Sequence, residues 1–292
     1  MASLKNVKIK IAAIKKTSQI TKAMNMVAAS KLRGAQQRME NFRPYAREFG
    51  AAMASLSGQM ESGQFPLMEV RDVKTVELLV ITSDRGLCGS FNSNIIKMVE
   101  RKIKEYEKAG KKVTLTCVGR KGNMYFRKKA TVRNSFPDIM SRFQMFNARS
   151  IAQDVSANFL AGGADEVHLI YGAFVSMANQ RPVMKQILPV KQSAEEAAKA
   201  GAERKSVDYI YEPSPAEIME VLLPLYLNVM IYHGMIETST SEHAARMTAM
   251  DNATRACKDM VTSLTLTMNK ARQAGITAEL MDIVGGAEAL RG

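Results

Sequence analysis

Residues 83–89 (SDRGLCG) hold the side chains best placed for chemistry, because a buried-strand run from Val73 (VKTVELLVITSD) feeds straight into them. Nucleotide-binding α/β domains put phosphates at such a strand-to-helix junction, on the N-terminus of the following helix. The spacing here, Gly86-x-x-Gly89, matches neither the dinucleotide fingerprint nor a phosphate loop ending in Lys-Ser/Thr. Cys88 is a candidate nucleophile, but no His is placed by spacing as its base. The preferred reading is a tight turn whose glycines let the sheet edge approach another element, with Asp84 and Arg85 in polar contact with the long end helices. His168, His233 and His243 are scattered, and Cys88, Cys117 and Cys257 lack metal-ligand spacing, so neither metal nor cofactor is expected.

The elements around this turn alternate. Strands are expected at Val73–Asp84, Val113–Val118, Glu166–Val175, Pro182–Val190 and Val207–Tyr211, with helices at Asn92–Ala109, Asn123–Lys129 and Ala148–Ala161. That order predicts an open, largely parallel sheet. Ser193–Arg204, rich in Ala, Glu and Lys, reads as a surface loop or short helix.

Both ends of the chain read as long amphipathic helices. At the N-terminus an unbroken three-and-four spacing runs Leu4, Val7, Ile11, Ile14, Ser18, Thr21, Asn25, Ala28, Leu32, Ala35, Met39, Phe42, Ala46, Phe49, Met53 and Leu56, the spacing of a coiled-coil seam. Its middle third is polar or small, while Ile20, Met24 and Val27 lie on a neighbouring face, so a different partner is expected around 20–28. At 1.5 Å per residue this helix extends roughly 80 Å, with Pro44 bending it or removing one hydrogen bond. A second stripe passes through Leu222, Leu225, Val229, Tyr232, Ile236, Ser239, His243, Arg246, Met250, Ala253, Cys257, Met260, Leu264, Thr267, Ala271, Ala274, Ala278 and Met281. Helical from about Pro224, it runs roughly 90 Å. The layout divides into an N-terminal helix over 1–60, an α/β domain over 72–211 and a C-terminal helix over 213–292.

Charge separates the ends. Residues 1–50 carry eleven basic against two acidic residues, whereas 213–292 carry six basic against nine acidic, out of a net charge of +13. Opposite signs favour pairing of the end helices and leave a basic stripe for an acidic third partner. No apolar run approaches the roughly 20 residues of a membrane span, and no signal-peptide block is seen, so a cytosolic chain is expected.

Three blocks together carry a resemblance: residues 20–32 (ITKAMNMVAASKL), 83–92 (SDRGLCGSFN) and 271–287 (ARQAGITAELMDIVGGA). In this order they closely resemble the γ subunits of F-type ATP synthases. The resemblance implies an α/β protein: an antiparallel coiled coil of the two end helices plus a central Rossmann-like domain with a largely parallel sheet. It implies one copy per complex, with the coiled coil inside a hexameric head of α and β subunits, an ε subunit as neighbour, and the α/β domain as a foot on the membrane c-ring. The implied role is that of a non-catalytic rotor, without nucleic acid, at the cytoplasmic face of the bacterial inner membrane; the Met1 start points to a bacterial form. Coupling contacts to β subunits carry over to Lys22, Met24, Arg272, Gln273, Thr277 and Glu279, and the foot motif to Asp84, Arg85, Gly86 and Gly89. Gly285-Gly286 depart from a regular helix near the tip. The residues alone leave two rivals open: a nucleic-acid-binding coiled coil using the basic N-terminal helix, and a nucleotide-dependent enzyme using the turn at Gly86–Gly89.

Overall fold

The computed structural model describes residues 4–57, 65–190 and 214–289. Helix α1 (Leu4–Ser57) comes first, then β1 (Thr75–Ile81), α2 (Phe91–Lys108), β2 (Lys112–Val118), α3 (Arg120–Phe126), β3 (Val132–Phe136), α4 (Met145–Leu160), β4 (Glu166–Phe174), β5 (Gln180–Leu188) and α5 (Pro215–Ala289). The chain forms two compact units, Met1–Ala28 with Met247–Gly292, and Ala29–Arg246, so α1 and α5 each contribute to both.

In the larger unit the sheet order is β3-β2-β1-β4-β5, parallel except for β5, which pairs antiparallel with β4. β1 lies at the centre and its side chains alternate between two cores, as both faces of a parallel sheet must be covered. Leu79 and Ile81 join the core that holds Ile151, Val155 and Phe159 of α4 and Leu223, Leu227, Ile231 and Met235 of α5. Val76, Leu78 and Val80 join the opposite core with Ile95 and Val99 of α2 and Phe126 of α3. The exception on β1 is Glu77, fully buried, whose carboxylate accepts from Thr116 Oγ1 (2.5 Å), Arg133 Nη2 (2.8 Å) and Asn158 Nδ2 (2.7 Å). A buried charge is tolerable only when paired and hydrogen-bonded in this way.

Charged groups also tie the long helices to the sheet. Glu237 of α5 accepts the Phe174 amide of β4 at 2.8 Å and pairs with Arg43 of α1 at 3.2 Å. Thr238 Oγ1 accepts the Gly172 amide, and Ser241 Oγ donates to the Gly172 carbonyl.

Several expectations need correction. α5 begins at Pro215, nine residues before Pro224, the residue from which the stripe reads as helical, and Pro224 lies inside it. Helix α1 runs through Pro44, which has no amide hydrogen and so removes one helical hydrogen bond, one of the two outcomes expected. By length and composition α5 contains a stretch apolar enough to cross a membrane, contrary to the expectation; many of its side chains serve the core above. The strand β3 was not expected, because Arg133, Asn134 and Ser135 give a short, polar edge strand no apolar alternation. The expected strand at Val207–Tyr211 and the loop at Ser193–Arg204 lie outside the described residues.

Candidate functional sites on the paired helices and at the β1–α2 turn

In the smaller unit α1 and α5 run antiparallel, since Thr21 meets Thr254 while Asn25, further along α1, meets Met247. The predicted α1 seam faces inward throughout: none of its residues from Leu4 to Ala28 is exposed. Its polar third stays inside the pair. Thr21 Oγ1 and Thr254 Oγ1 lie 2.8 Å apart, Thr254 Oγ1 also donates to the Met250 carbonyl, and Asn25 Nδ2 donates to the Met247 carbonyl at 2.8 Å. Seam hydrogen bonds have geometry as well as energy, so they fix the register of the pair as a polar seam residue does in a coiled coil. The expected change of partner therefore does not move the seam. Instead the neighbouring face is left open: Ile20 is 60% and Val27 57% exposed, Lys22 is exposed, and Met24 is half-buried.

The α5 seam differs from the expected one. Within this unit the less exposed positions include the expected Ala253 but mainly follow Met250, Thr254, Cys257, Val261, Leu264, Met268, Ala271 and Gly275, whereas the expected Met260, Thr267, Ala274, Ala278 and Met281 are exposed. The seven-residue repeat was right, but its second apolar position falls four residues after the first rather than three. Arg272 and Gln273, just before Gly275, are exposed, and beyond it every residue to Ala287 is exposed, Thr277 and Glu279 among them. Thr277 Oγ1 donates to the Gln273 carbonyl, an ordinary back-bond along the helix. Helix α5 is continuous through Gly285 and Gly286.

The β1–α2 turn belongs to the larger unit and satisfies most of its polar groups internally. The Ser83 amide donates to Asn92 Oδ1, Ser83 Oγ donates to the Arg85 carbonyl, and Asn92 Nδ2 donates to Cys88 Sγ. Leu87 and Gly89 both have positive φ, the conformation that glycine adopts without strain. Asp84 Oδ1 accepts the Arg120 and Asp138 amides, each at 3.0 Å, and so closes the β1, β2 and β3 loops together. Arg85 is exposed. The turn meets α5 through its backbone, not through the side chains of Asp84 and Arg85 as expected: Arg246 Nη2 donates to the Gly86 carbonyl at 3.1 Å. Next to this turn Gly119 has φ +89°, and a Cβ there would lie 2.1 Å from the Thr82 carbonyl, so β1 and the start of α3 touch backbone to backbone.

Arg246 also pairs with Glu242 one helical turn back. Burial pushes the Glu242 carboxyl up, against the lowering effect of Arg246 and Lys31. Burial, then Arg246, Lys31 and Arg38, push neighbouring His243 down to about 4, so it is neutral. Cys88, only 2% exposed, is a protonated thiol whose pKa burial, then Glu242, raises. A thiol needs the opposite environment to act as a nucleophile. The amide of Phe91 at the start of α2 is taken by the Cys88 carbonyl, and that of Ser83 by Asn92. One amide at the start of α2 is thus already engaged within the turn. Sequence reasoning missed the Glu242–Arg246 pair; the signal was a Glu and an Arg four apart on one helix. Among the described residues no cluster of His, Cys, Asp and Glu is arranged to hold a metal.

Known proteins match this arrangement over its whole length. A family model described as ATP synthase matches residues 3–290. The ATP synthase gamma chain of Desulfotalea psychrophila is 61% identical over 291 residues, covering 100% of both chains. That of Nitratidesulfovibrio vulgaris strain Miyazaki F is 53% identical over 294 residues, again covering 100% of both. Among solved structures, one of the Tetrahymena thermophila mitochondrial ATP synthase central stalk and c-ring matches with a TM-score of 0.60 and 30% identity, covering 80% of this chain and 99% of that one. The rotor of the Euglena gracilis mitochondrial ATP synthase shares the fold, with a TM-score of 0.68 at 18% identity, covering 94% of this chain and 99% of that one. The chain belongs to the ATP synthase γ-chain family.

Proposed function

We propose that this chain is the central-stalk rotor of a bacterial, proton-translocating F-type ATP synthase, a peripheral membrane subunit that couples c-ring rotation to the conformational cycle of the catalytic β subunits. The observation that carries the reading is the tip of α5. Ile276, Leu280, Met281, Ile283 and Val284 are each at least 50% exposed on a helix without a partner in the described chain. A tip apolar on several sides calls for enclosure by another surface. The head of α and β subunits supplies that enclosure, the ε subunit and c-ring meet the sheet unit as foot, and one copy serves each complex.

In this reading the chain makes no bond itself, has no catalytic residue and takes no cofactor or nucleic acid. Its asymmetry does the coupling: each β subunit meets a different face of the shaft, so rotation changes the relative stability of open and closed nucleotide sites. Lys22 and Met24 on α1 and Arg272, Gln273, Thr277 and Glu279 on α5 are the contacts, because they are exposed or half-exposed in the chain alone. Asp84, Arg85, Gly86 and Gly89 shape the foot's turn. The complex sits at the cytoplasmic face of the inner membrane.

The test is co-expression with matched α and β subunits, with ATP hydrolysis compared with and without this chain. Stable incorporation and chain-dependent hydrolysis are expected. Arg272→Ala with Gln273→Ala should leave the chain's own stability within about 0.5 kcal/mol, since both are exposed, yet lower proton pumping per ATP. Normal pumping in that variant counts against these contacts.

A further inference from the structure

The densest basic segment is not the N-terminal helix but residues 101–136, with twelve basic against two acidic residues. Some of this charge is consumed locally. Arg133 serves the buried Glu77 and Asp154, Arg120 pairs with Asp138, and Lys129 with Glu100 and Tyr125. What is left is more informative: Arg101, Lys104, Lys108, Lys112, Arg127 and Lys128 are all exposed and have no partner among the described residues. They come from the second half of α2, the start of β2 and the α3–β3 connection, all in the larger unit. The α2 and α3–β3 parts meet at an open, polar hollow of about 390 Å³ that Glu107, Arg127, Lys128 and Lys129 help to line.

We propose that this face is an electrostatic footing on an anionic phospholipid surface, an interaction additional to the rotor contacts above and resting on the membrane-bound reading. Six unpartnered cations on neighbouring elements make a broad array with no enclosed pocket, which suits a planar array of acidic headgroups. Single-stranded nucleic acid would want aromatic stacking platforms among the cations. The aromatics here are already engaged: Tyr125 donates to Glu100 and carries Lys129 over its ring, and Tyr106 stacks on His168. Met124, 51% exposed, lies about one helical turn before Arg127 and Lys128, but the six cations outnumber it, so the surface rests chiefly on headgroups.

The test uses the full chain with flotation on vesicles of about 30 mol % phosphatidylglycerol in phosphatidylcholine, against pure phosphatidylcholine. Binding is expected only to the acidic vesicles and is lost at about 0.5 M salt, where the screening length is a few ångströms. The variant Lys104→Glu, Lys108→Glu, Arg127→Glu and Lys128→Glu is expected to lose at least about thirtyfold in partitioning, since each basic residue near an acidic leaflet contributes roughly fivefold. A matched reversal on the N-terminal helix, Lys5→Glu, Lys8→Glu, Lys15→Glu and Lys16→Glu, is expected to keep most of it. The corresponding Gln variants guard against misfolding, which circular dichroism reads directly. Absence of binding to acidic vesicles, equal losses in the two reversals, or displacement from vesicles by an equal mass of DNA overturns the proposal. Assembly with α and β subunits, measured separately on the same sheet-domain variant, is expected to be unchanged and reports on the rotor reading alone.

Discussion

Replacing Arg246 by Met keeps most of the side-chain volume on α5 but removes both the partner of Glu242 and the donor to the Gly86 carbonyl. Glu242 is 8% exposed, so the stranded carboxylate is a buried charge that has lost its ion-pair partner and keeps only the weaker influence of Lys31. Breaking such a pair from one side costs about 3 to 5 kcal/mol, and the lost carbonyl bond about 1 kcal/mol. The effect depends on pH with a definite sign. The Glu242 pKa lies above its ordinary value even with Arg246 present, and Arg246 is the largest influence holding it down. In Arg246→Met it rises further. An acid with a raised folded pKa contributes its penalty fully above that pKa and sheds it as pH falls through it. The deficit relative to the native chain, measured by urea unfolding of the full chain, should therefore be large near pH 8 and markedly smaller near pH 5. Glu242→Gln in the same chain should recover much of the loss at pH 8 without acid. An equal deficit at both pH values, or a double variant no better than Arg246→Met, would refute the reasoning.

Gly119→Ala should destabilise by at least about 2 kcal/mol in the same unfolding assay, because it combines φ +89° with a Cβ placed 2.1 Å from the Thr82 carbonyl. A double-mutant cycle of Thr21→Val and Thr254→Val should return a coupling of about 1 kcal/mol, the worth of one buried hydroxyl pair, and additive losses would mean the 2.8 Å contact contributes nothing. His243 is a base with a depressed pKa, so its contribution is present above its ordinary 6.5 and is lost as pH falls toward about 4. His243→Gln should therefore flatten the stability profile between those values, read by thermal unfolding across pH.

What the sequence made legible depended on periodicity. The α1 seam was readable from Leu4 to Leu56 because a three-and-four spacing survives even where Ser18, Thr21 and Asn25 replace aliphatics. The central strands were readable because β1, β2 and β4 are buried over most of their length and so are rich in β-branched and aliphatic residues, despite Glu77, Thr116 and His168. β3 was not, because an edge strand rich in Arg, Asn and Ser has no such signal. The α5 seam was read one position off at Met260, Thr267 and Ala274, where small and apolar residues on adjacent faces make two registers nearly equivalent; tertiary contacts such as Thr21 with Thr254 decide between them. Of the candidate site residues, Arg272, Gln273, Thr277 and Glu279 came from the family resemblance, and only the open face beside Met24 on α1 followed from a stripe. The role of the turn did not, since Gly86 meets Arg246 through a backbone carbonyl and no side-chain pattern records a carbonyl.

The central claim is that this chain turns inside a head of α and β subunits. Its most direct test fixes that head to a surface, tags the chain through an added cysteine on the sheet unit, and follows the tag during ATP hydrolysis. The account predicts unidirectional rotation with stops spaced by the symmetry of the head, lost together with hydrolysis when nucleotide is withdrawn. ATP hydrolysis that continues while the tag is stationary, with the chain firmly bound, would contradict it.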